Sequence, residues 1–236
     1  RLGIVSASEA ILGSPYDFEK QALLYLPAAM PDPGADPDGF ADGVVRECRL
    51  LLLASGGGAF VLFTSYALLR RVHEALASDE ALRGLELFRH EPGLASPVLE
   101  RFRMTRKGVL LGTMTFWQGV DVPGDALRLV VITRLPFEVP GHPMAEARAE
   151  VIRARGGDPF VEDALPDAIL TFRQGFGRLI RSHDDRGLVA VLDPRLRTRP
   201  YGEMFLESLP LCRRTEAIEE AERFLRGGGA AGRSLS

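Results

Sequence analysis

Short apolar runs alternate with helical patterns along most of this chain, and this alternation limits the possible folds more than any other feature. The runs cover residues 23–26, 59–63, 85–88, 109–111, 129–133 and 188–192. Strands that are apolar on both sides are typical of parallel sheets with helices on both faces. We therefore predict an α/β domain with three layers and a mostly parallel sheet.

The intervening segments predict the helices and the limits of the domain. Apolar residues at helical spacing predict helices over 41–54, 66–76, 97–106, 143–155 and 166–181. The proline-, glycine- and aspartate-rich stretch 31–39 predicts a loop, and Gly56-Gly57-Gly58 predicts a helix end and turn. We expect one domain over 1–226, a helical insertion at about 136–166, and a disordered tail over 227–236.

The last of these helices carries a polar stripe that suits a polyphosphate. At about 100° per residue, Gln174, Arg178 and Arg181 fall within roughly 60° of one another. Apolar residues occupy the opposite side, namely Ile169, Phe172, Phe176, Leu179 and Ile180. Arginine is always charged and offers a planar fork of donors that matches phosphate oxygens. The alternative is an ordinary amphipathic helix with solvated arginines.

A second segment, residues 112–124, is a loop rich in glycine and threonine that follows the apolar run 109–111. Glycines allow backbone N–H groups to approach an anion or a sugar closely. Asp121 could accept a hydrogen bond from a ribose hydroxyl. The alternative is a long connecting loop in which Asp121 and the Pro-Gly pair form turns.

Together these segments resemble motifs V and VI of superfamily 2 helicases, in the DinG/XPD-like branch. The similar residues are Phe116 to Gly124, Leu135-Pro136-Phe137, Gln174 to Ser182, Asp185-Arg186-Gly187 and, near the start, Leu12 to Tyr16. The resemblance runs from about residue 11 to about residue 210. It implies a RecA-like fold, and specifically the second motor lobe of an ATP-dependent DNA helicase that moves 5′ to 3′ on single-stranded DNA.

The resemblance also implies roles for individual residues in binding ATP with Mg²⁺. Arg181 corresponds to the arginine finger and Arg178 to a second contact with the γ-phosphate. Gln174 would position the phosphate or the surroundings of the attacking water. Gly119 and Asp121 would meet the ribose or couple the nucleotide to DNA. An arginine finger accelerates phosphoryl transfer by about 10³–10⁵-fold, because it stabilises charge on the transferring group.

Four further residues are expected to face single-stranded DNA. Thr64, Ser65, Thr113 and Thr115 stand at strand ends, where members of the family contact the phosphate backbone. Hydroxyls there would fix the position of the strand without reading its sequence. Helix capping and turn formation are the alternative, above all for Ser65.

The chain lacks the parts of a complete motor. Its two lysines, Lys20 and Lys107, do not stand in a G-x-x-x-x-G-K-[ST] phosphate loop. Asp79-Glu80-Ala81-Leu82 looks like an acidic helicase box, but we interpret it as a solvated helix end. We expect this chain to be part of a longer polypeptide, in which the N-terminal RecA-like lobe, with the ligands for Mg²⁺, precedes Arg1. This chain alone should hydrolyse ATP negligibly.

Composition limits the remaining possibilities. The net charge of −3 excludes a uniformly basic nucleic-acid binder, so any contact with DNA must be local. Cys48 and Cys212 lie far apart, and the four histidines are scattered, so no metal site is predicted. A 4Fe-4S cluster, which related helicases often hold, would belong to the other lobe. No apolar run is long enough to span a membrane, and we expect a cytoplasmic protein.

Two other classes of function remain open from the sequence. The same lobe could be a non-catalytic nucleic-acid-binding or regulatory module, in which the stripe of Gln174, Arg178 and Arg181 serves DNA or a protein partner. A third possibility is an unrelated α/β enzyme that binds a nucleotide.

Overall fold

The fold is taken from a computed structural model that describes residues 15–91, 95–113, 127–138, 141, 143–177, 179–180, 182–183 and 185–227. The predicted tail, apart from Gly227, lies outside these residues.

The centre of the molecule is a seven-stranded sheet in which every pair of neighbouring strands is parallel. Its strands are β1 (Ala22–Tyr25), β2 (Ala59–Phe63), β3 (Glu86–Arg89), β4 (Gly108–Thr113), β5 (Leu129–Ile132), β6 (Gly187–Val191) and β7 (Arg213–Thr215). They lie in the order β3-β4-β2-β5-β6-β1-β7. The predicted parallel α/β architecture is confirmed.

Helices cover both faces of the sheet. They are α1 (Phe18–Gln21), α2 (Pro37–Ser55), α3 (Tyr66–Ser78), α4 (Ala95–Met104), α5 (Pro143–Ala154), α6 (Leu165–Phe176), α7 (Arg195–Thr198), α8 (Gly202–Glu207) and α9 (Ile218–Gly227). A π-helical turn, Phe160–Ala164, precedes α6, and a 3₁₀ turn, Glu80–Leu82, follows α3.

Alternate residues of each strand enter two separate cores. Phe60 and Leu62 of β2 pack with side chains of α1, α4, α6 and α8 on one face. Val61 and Phe63 of the same strand pack with α2, α3 and α9 on the other face. Because both sides of the strands are buried, the strands read as continuous apolar runs instead of an alternating pattern.

Helix α2 begins earlier than predicted, because its first turn lies in the stretch that was assigned to a loop. Asp36 is the N-cap, and its carboxylate accepts a hydrogen bond from the Gly39 N–H at 2.9 Å. Pro37 occupies the first position of the helix, where its missing N–H costs nothing. The Asp-Pro pair therefore starts a helix here.

Helix α6 ends at Phe176, so the prediction of one helix through residue 181 is wrong. The N–H of Gly177 bonds to the carbonyls of Arg173 and Gly175 at the end of the helix. Glycines at 175 and 177 weaken a helix by roughly 1 kcal/mol each relative to alanine. Beyond the turn, Leu179 and Ile180 are both buried. The continuous helix from which the stripe of Gln174, Arg178 and Arg181 was inferred therefore ends before the described residues 179–180.

The C-terminal elements were not predicted. Strand β7 is three residues long and two of them, Arg213 and Arg214, are exposed, so it carries no apolar run. It nevertheless pairs with β1 and forms one edge of the sheet. Helix α9 then folds back against α2 and β1.

The triple glycine ends α2 as predicted. Gly56 adopts a left-handed conformation with φ 66° and caps the helix. Gly57 has φ 112°, and a Cβ atom placed on it would lie 2.5 Å from the Cα of Lys107. This turn thus requires glycine both for backbone conformation and for the close approach of a neighbouring segment.

We predict that Gly57→Ala lowers the free energy of unfolding by about 2 kcal/mol or more, through the left-handed backbone and the contact with Lys107. Gly84→Ala is the control, since Gly84 has an ordinary backbone and open space around it. That variant should be neutral or more stable by up to about 1 kcal/mol. Urea denaturation measures both, and equal values would contradict the close approach.

Candidate nucleotide and nucleic-acid interfaces

The predicted DNA-facing residues that the structure describes gather at the carboxyl edge of the sheet. Thr64 directly follows β2 and is partly exposed, and Ser65 follows it on the surface. Thr113 is the last residue of β4, the neighbour of β2. The structure therefore brings these three residues to one edge, as expected for strand ends in a parallel sheet.

The three hydroxyls differ in what they contact. Ser65 caps α3, because its Oγ accepts a hydrogen bond from the Leu68 N–H at 3.3 Å. The hydroxyl of Thr113 is buried and lies 3.2 Å from Nδ1 of His90, the residue after β3. Burial lowers the pKa of His90, which keeps its ring neutral at pH 7. Thr64 is thus the member of this group that stands at the surface without serving as a cap.

A cluster of charged residues at the same edge was not predicted. Asp193, which is 2% exposed, follows β6 and accepts a hydrogen bond from the N–H of Leu135, which follows β5. Arg195 binds the same carboxylate through Nε at 2.9 Å and Nη2 at 2.6 Å. Arg134 lies beside this pair. Their position after apolar runs was the available signal in the sequence.

The described residues Ser182, His183 and Asp185 of the motif VI-like segment lie at the opposite, amino edge of the sheet, just before β6. Gln21 immediately precedes β1, and its Nε2 lies 2.9, 3.0 and 2.9 Å from the carbonyl oxygens of Ser182, His183 and Asp185, which share its two N–H donors. These carbonyls belong to the segment that leads from α6 into β6. The amide of Gln21 therefore fixes the described part of the motif VI-like segment at the amino edge.

The same segment is ordered by contacts within itself and with its neighbours. The carboxylate of Asp185 accepts hydrogen bonds from the N–H of Ser182 at 2.9 Å and from its hydroxyl at 2.8 Å. The ring of His183 meets the edge of Tyr16 at 5.5 Å between centroids. Arg186 lies over the ring of Phe224 at 4.1 Å. With Leu179 and Ile180 buried, the segment is anchored at both ends.

Several predicted site residues lie outside the described part of the chain, namely Gly119, Asp121, Thr115, Arg178 and Arg181. Gln174 is exposed on α6, two residues before the helix ends. Ser182, the residue after Arg181, is one of those whose carbonyls Gln21 binds. The predicted roles of these residues in binding the nucleotide therefore remain predictions.

Metal ligands do not cluster among the residues that the structure describes, where no group of three or more His, Cys, Asp or Glu could hold an ion. Burial raises the pKa of the Cys48 thiol and, to a smaller extent, that of Cys212. None of the described helices has the length and apolarity required to cross a membrane.

The architecture matches that of solved structures with the same fold. A solved structure of S. tokodaii Xpd4 superimposes with a TM-score of 0.57 over 83% of this chain and 38% of that chain, at 17% sequence identity. At this identity the likeness shows the fold alone. The seven-stranded parallel sheet with helices on both faces accordingly has a RecA-like fold.

The family follows from the sequence comparisons. The family model described as "Helicase C-terminal domain" matches residues 48–212. The ATP-dependent DNA helicase YoaA of Escherichia coli is 43% identical over 225 residues, which is 95% of this chain and 35% of that protein. The ATP-dependent helicase DinG of Mycobacterium tuberculosis (strain ATCC 25177 / H37Ra) is 41% identical over 199 residues, or 84% of this chain and 29% of that protein.

This chain belongs to the helicase C-terminal domain family, in its DinG/XPD-like branch. It spans about a third of the length of the curated relatives that it matches.

We predict that Gln21→Ala lowers the free energy of unfolding by about 1–3 kcal/mol, since it removes the donor to the buried hydrogen bond with the Asp185 carbonyl and to two partly buried ones. Gln174→Ala is the matched control, because Gln174 is exposed on α6 and should change stability by less than about 0.5 kcal/mol. Urea denaturation of the two variants measures the difference. Equal stabilities would mean that Gln21 does not hold the segment 182–185.

Proposed function

We propose that this chain is the second motor lobe of an ATP-dependent DNA helicase that moves 5′ to 3′ on single-stranded DNA. The observation that carries the proposal is the family match, together with relatives that are named ATP-dependent helicases, of which YoaA is named a DNA helicase. ATP with Mg²⁺ would bind between this lobe and an N-terminal RecA-like lobe of a longer polypeptide. The phosphate loop and the ligands for Mg²⁺ would belong to that other lobe.

In this proposal the amino edge serves the nucleotide. Arg181 supplies the arginine finger and Arg178 a second contact with the γ-phosphate, and Gln174 at the end of α6 assists them. Support comes from the described residues that follow Arg181, because Gln21 binds the carbonyls of Ser182 and Asp185, and the Asp185 carboxylate binds Ser182. A guanidinium that acts in the transition state must be held in place before the reaction, and a fixed segment provides this. Gly119 and Asp121 are proposed to contact the ribose.

The carboxyl edge is proposed to carry the DNA track, formed by Thr64, Ser65, Thr113 and Thr115. The surface position of Thr64 favours it as a direct contact with a phosphate. Thr113 is buried against His90, so its contribution would be to support the edge beneath Thr64. Neutral donors position a backbone without reading bases, which suits a motor that must move along any sequence.

The first test of the proposal concerns Arg181 in the complete helicase polypeptide. Arg181→Ala should reduce DNA-stimulated ATP hydrolysis by at least about 100-fold while affinity for single-stranded DNA changes only a few-fold, because the finger acts on the phosphoryl group. Arg173→Ala on the exposed side of α6 is the control and should leave turnover unchanged. Steady-state ATPase and oligonucleotide titrations are measured in parallel.

The opposite outcome favours the competing class of function. If Arg181→Ala abolishes DNA binding and spares hydrolysis, the segment faces nucleic acid, and the regulatory or binding-module interpretation gains support.

The second test concerns the DNA track. Thr64→Ala, alone and combined with Thr113→Ala, should weaken binding to an oligo(dT) strand by about 3–10-fold, the usual worth of one neutral hydrogen bond. The basal ATPase of the complete polypeptide should stay nearly unchanged. Thr171→Ala is the control, since the hydroxyl of Thr171 bonds to the carbonyl of Asp167 on α6. Unchanged DNA affinity would mean that Thr64 and Thr113 only support structure.

A further inference from the structure

Arg134 lies beside Thr64 at the carboxyl edge of the sheet. Strands β2 and β5 are paired so that Leu62 stands opposite Ile132, and the N–H of Thr133 bonds to the carbonyl of Leu62 at 3.0 Å. Extending this register by two residues, past the ends of β2 and β5, sets Arg134 opposite Thr64, the residue that follows β2. Since neighbouring strands are about 4.8 Å apart, the two residues can contact the same extended ligand.

The guanidinium of Arg134 is held in place but incompletely satisfied. It lies over the ring of Phe40 at 5.1 Å from the centroid, and its Nη2 donates to the carbonyl of Pro33 at 3.4 Å. Its Nε is buried and has no hydrogen-bond partner. Among the described residues Arg134 makes no ion pair. A partly buried charge in this state is unfavourable unless an anion completes its bonding.

The carboxylates near Arg134 are already engaged by other donors. Asp193 accepts hydrogen bonds from the Leu135 N–H and from Arg195, as described above. Asp32 accepts hydrogen bonds from the N–H groups of Gly34 at 2.7 Å and Ala35 at 3.1 Å. Burial, and then the nearby charge of Arg195, lower the pKa of Arg134, and the charges of Asp193 and Asp32 compensate for this only in part.

We propose that Arg134 binds a phosphate of the DNA backbone and is the charged member of the track that Thr64 begins. This inference rests on the proposed function and adds to it a cationic contact at a defined position. A guanidinium presents several donors in a plane to phosphate oxygens, whereas a threonine hydroxyl presents one. The stack on Phe40 fixes the orientation of the group, so little side-chain freedom is lost on binding. Its edge is opposite the one that holds residues 179–186, which separates it from the proposed nucleotide contacts.

The test is the salt dependence of oligo(dT) binding by this chain and by the complete helicase polypeptide. R134Q should weaken binding about tenfold at low salt, and the slope of log K against log[salt] should become shallower by about 0.7, the value for one phosphate contact on a single strand. R134K keeps the charge, so it should keep the slope while losing part of the affinity. R223Q on the exposed side of α9 is the matched control and should change neither quantity.

The comparison with Thr64→Ala separates this inference from the proposed function. A hydroxyl releases no counterion, so Thr64→Ala should weaken binding without changing the slope. If Thr64→Ala weakens binding but R134Q leaves both affinity and slope unchanged, the DNA track stands and the role of Arg134 is wrong. If neither variant affects binding, the DNA track itself is wrong and Arg134 falls with it.

Two further readouts detect other ligands for the same guanidinium. A raised KM for ATP with an unchanged DNA slope would overturn the inference in favour of a nucleotide phosphate. A lower melting temperature of the complete polypeptide, with an unchanged slope, would overturn it in favour of a carboxylate from the other lobe. The melting temperature of R134Q is not expected to fall, because the substitution removes an unpaired charge. The slope is measured on the folded fraction, so it stays informative if that fraction falls.

Discussion

Because all seven strands run parallel, every connection must leave the sheet at its carboxyl edge and return to it at its amino edge. Both faces are occupied by apolar packing, so the two edges are where polar groups can meet a ligand. This geometry sorts the chain's polar residues by their position relative to a strand. Residues that follow strands, such as Thr64 and Arg134, come together at one edge. Residues that precede strands, such as Gln21 and Asp185, come together at the other.

Separation of the two edges suits the proposed function of a motor. A nucleotide at the amino edge and DNA at the carboxyl edge would act on one rigid body. The strands that connect the two edges are packed on both faces in apolar cores. Interiors packed in this way transmit displacements without deforming. In the proposed helicase, closure and opening of the cleft between two lobes would therefore move the carboxyl edge as a unit along the strand. Fixed groups such as Gln21 would keep the catalytic segment in register during this movement.

The sequence was sufficient for the architecture because apolar runs such as 59–63 and 129–133 are buried on both sides. It failed where tertiary contacts decide the outcome. The helix that ends at Phe176 was predicted to continue to residue 181, since Leu179 and Ile180 continue its apolar pattern. In the structure these two residues are buried beyond the end of the helix. Strand β7 was missed because pairing with β1, and not composition, makes it a strand. For the candidate site, Thr64 and Thr113 were correctly placed at one edge, but their exposure could not be predicted. Arg134 was missed because its importance depends on which neighbouring carboxylates are already engaged.

The central claim is that DNA and nucleotide bind opposite edges of this sheet, and hydrogen–deuterium exchange of the complete helicase polypeptide tests it most directly. Oligo(dT) should slow exchange in peptides that cover residues 63–69 and 133–135, at the carboxyl edge. A non-hydrolysable ATP analogue with Mg²⁺ should slow exchange in peptides that cover residues 177–186, at the amino edge. Protection of residues 177–186 by oligo(dT), with no change at residues 63–69 and 133–135, would contradict the assignment of the two edges.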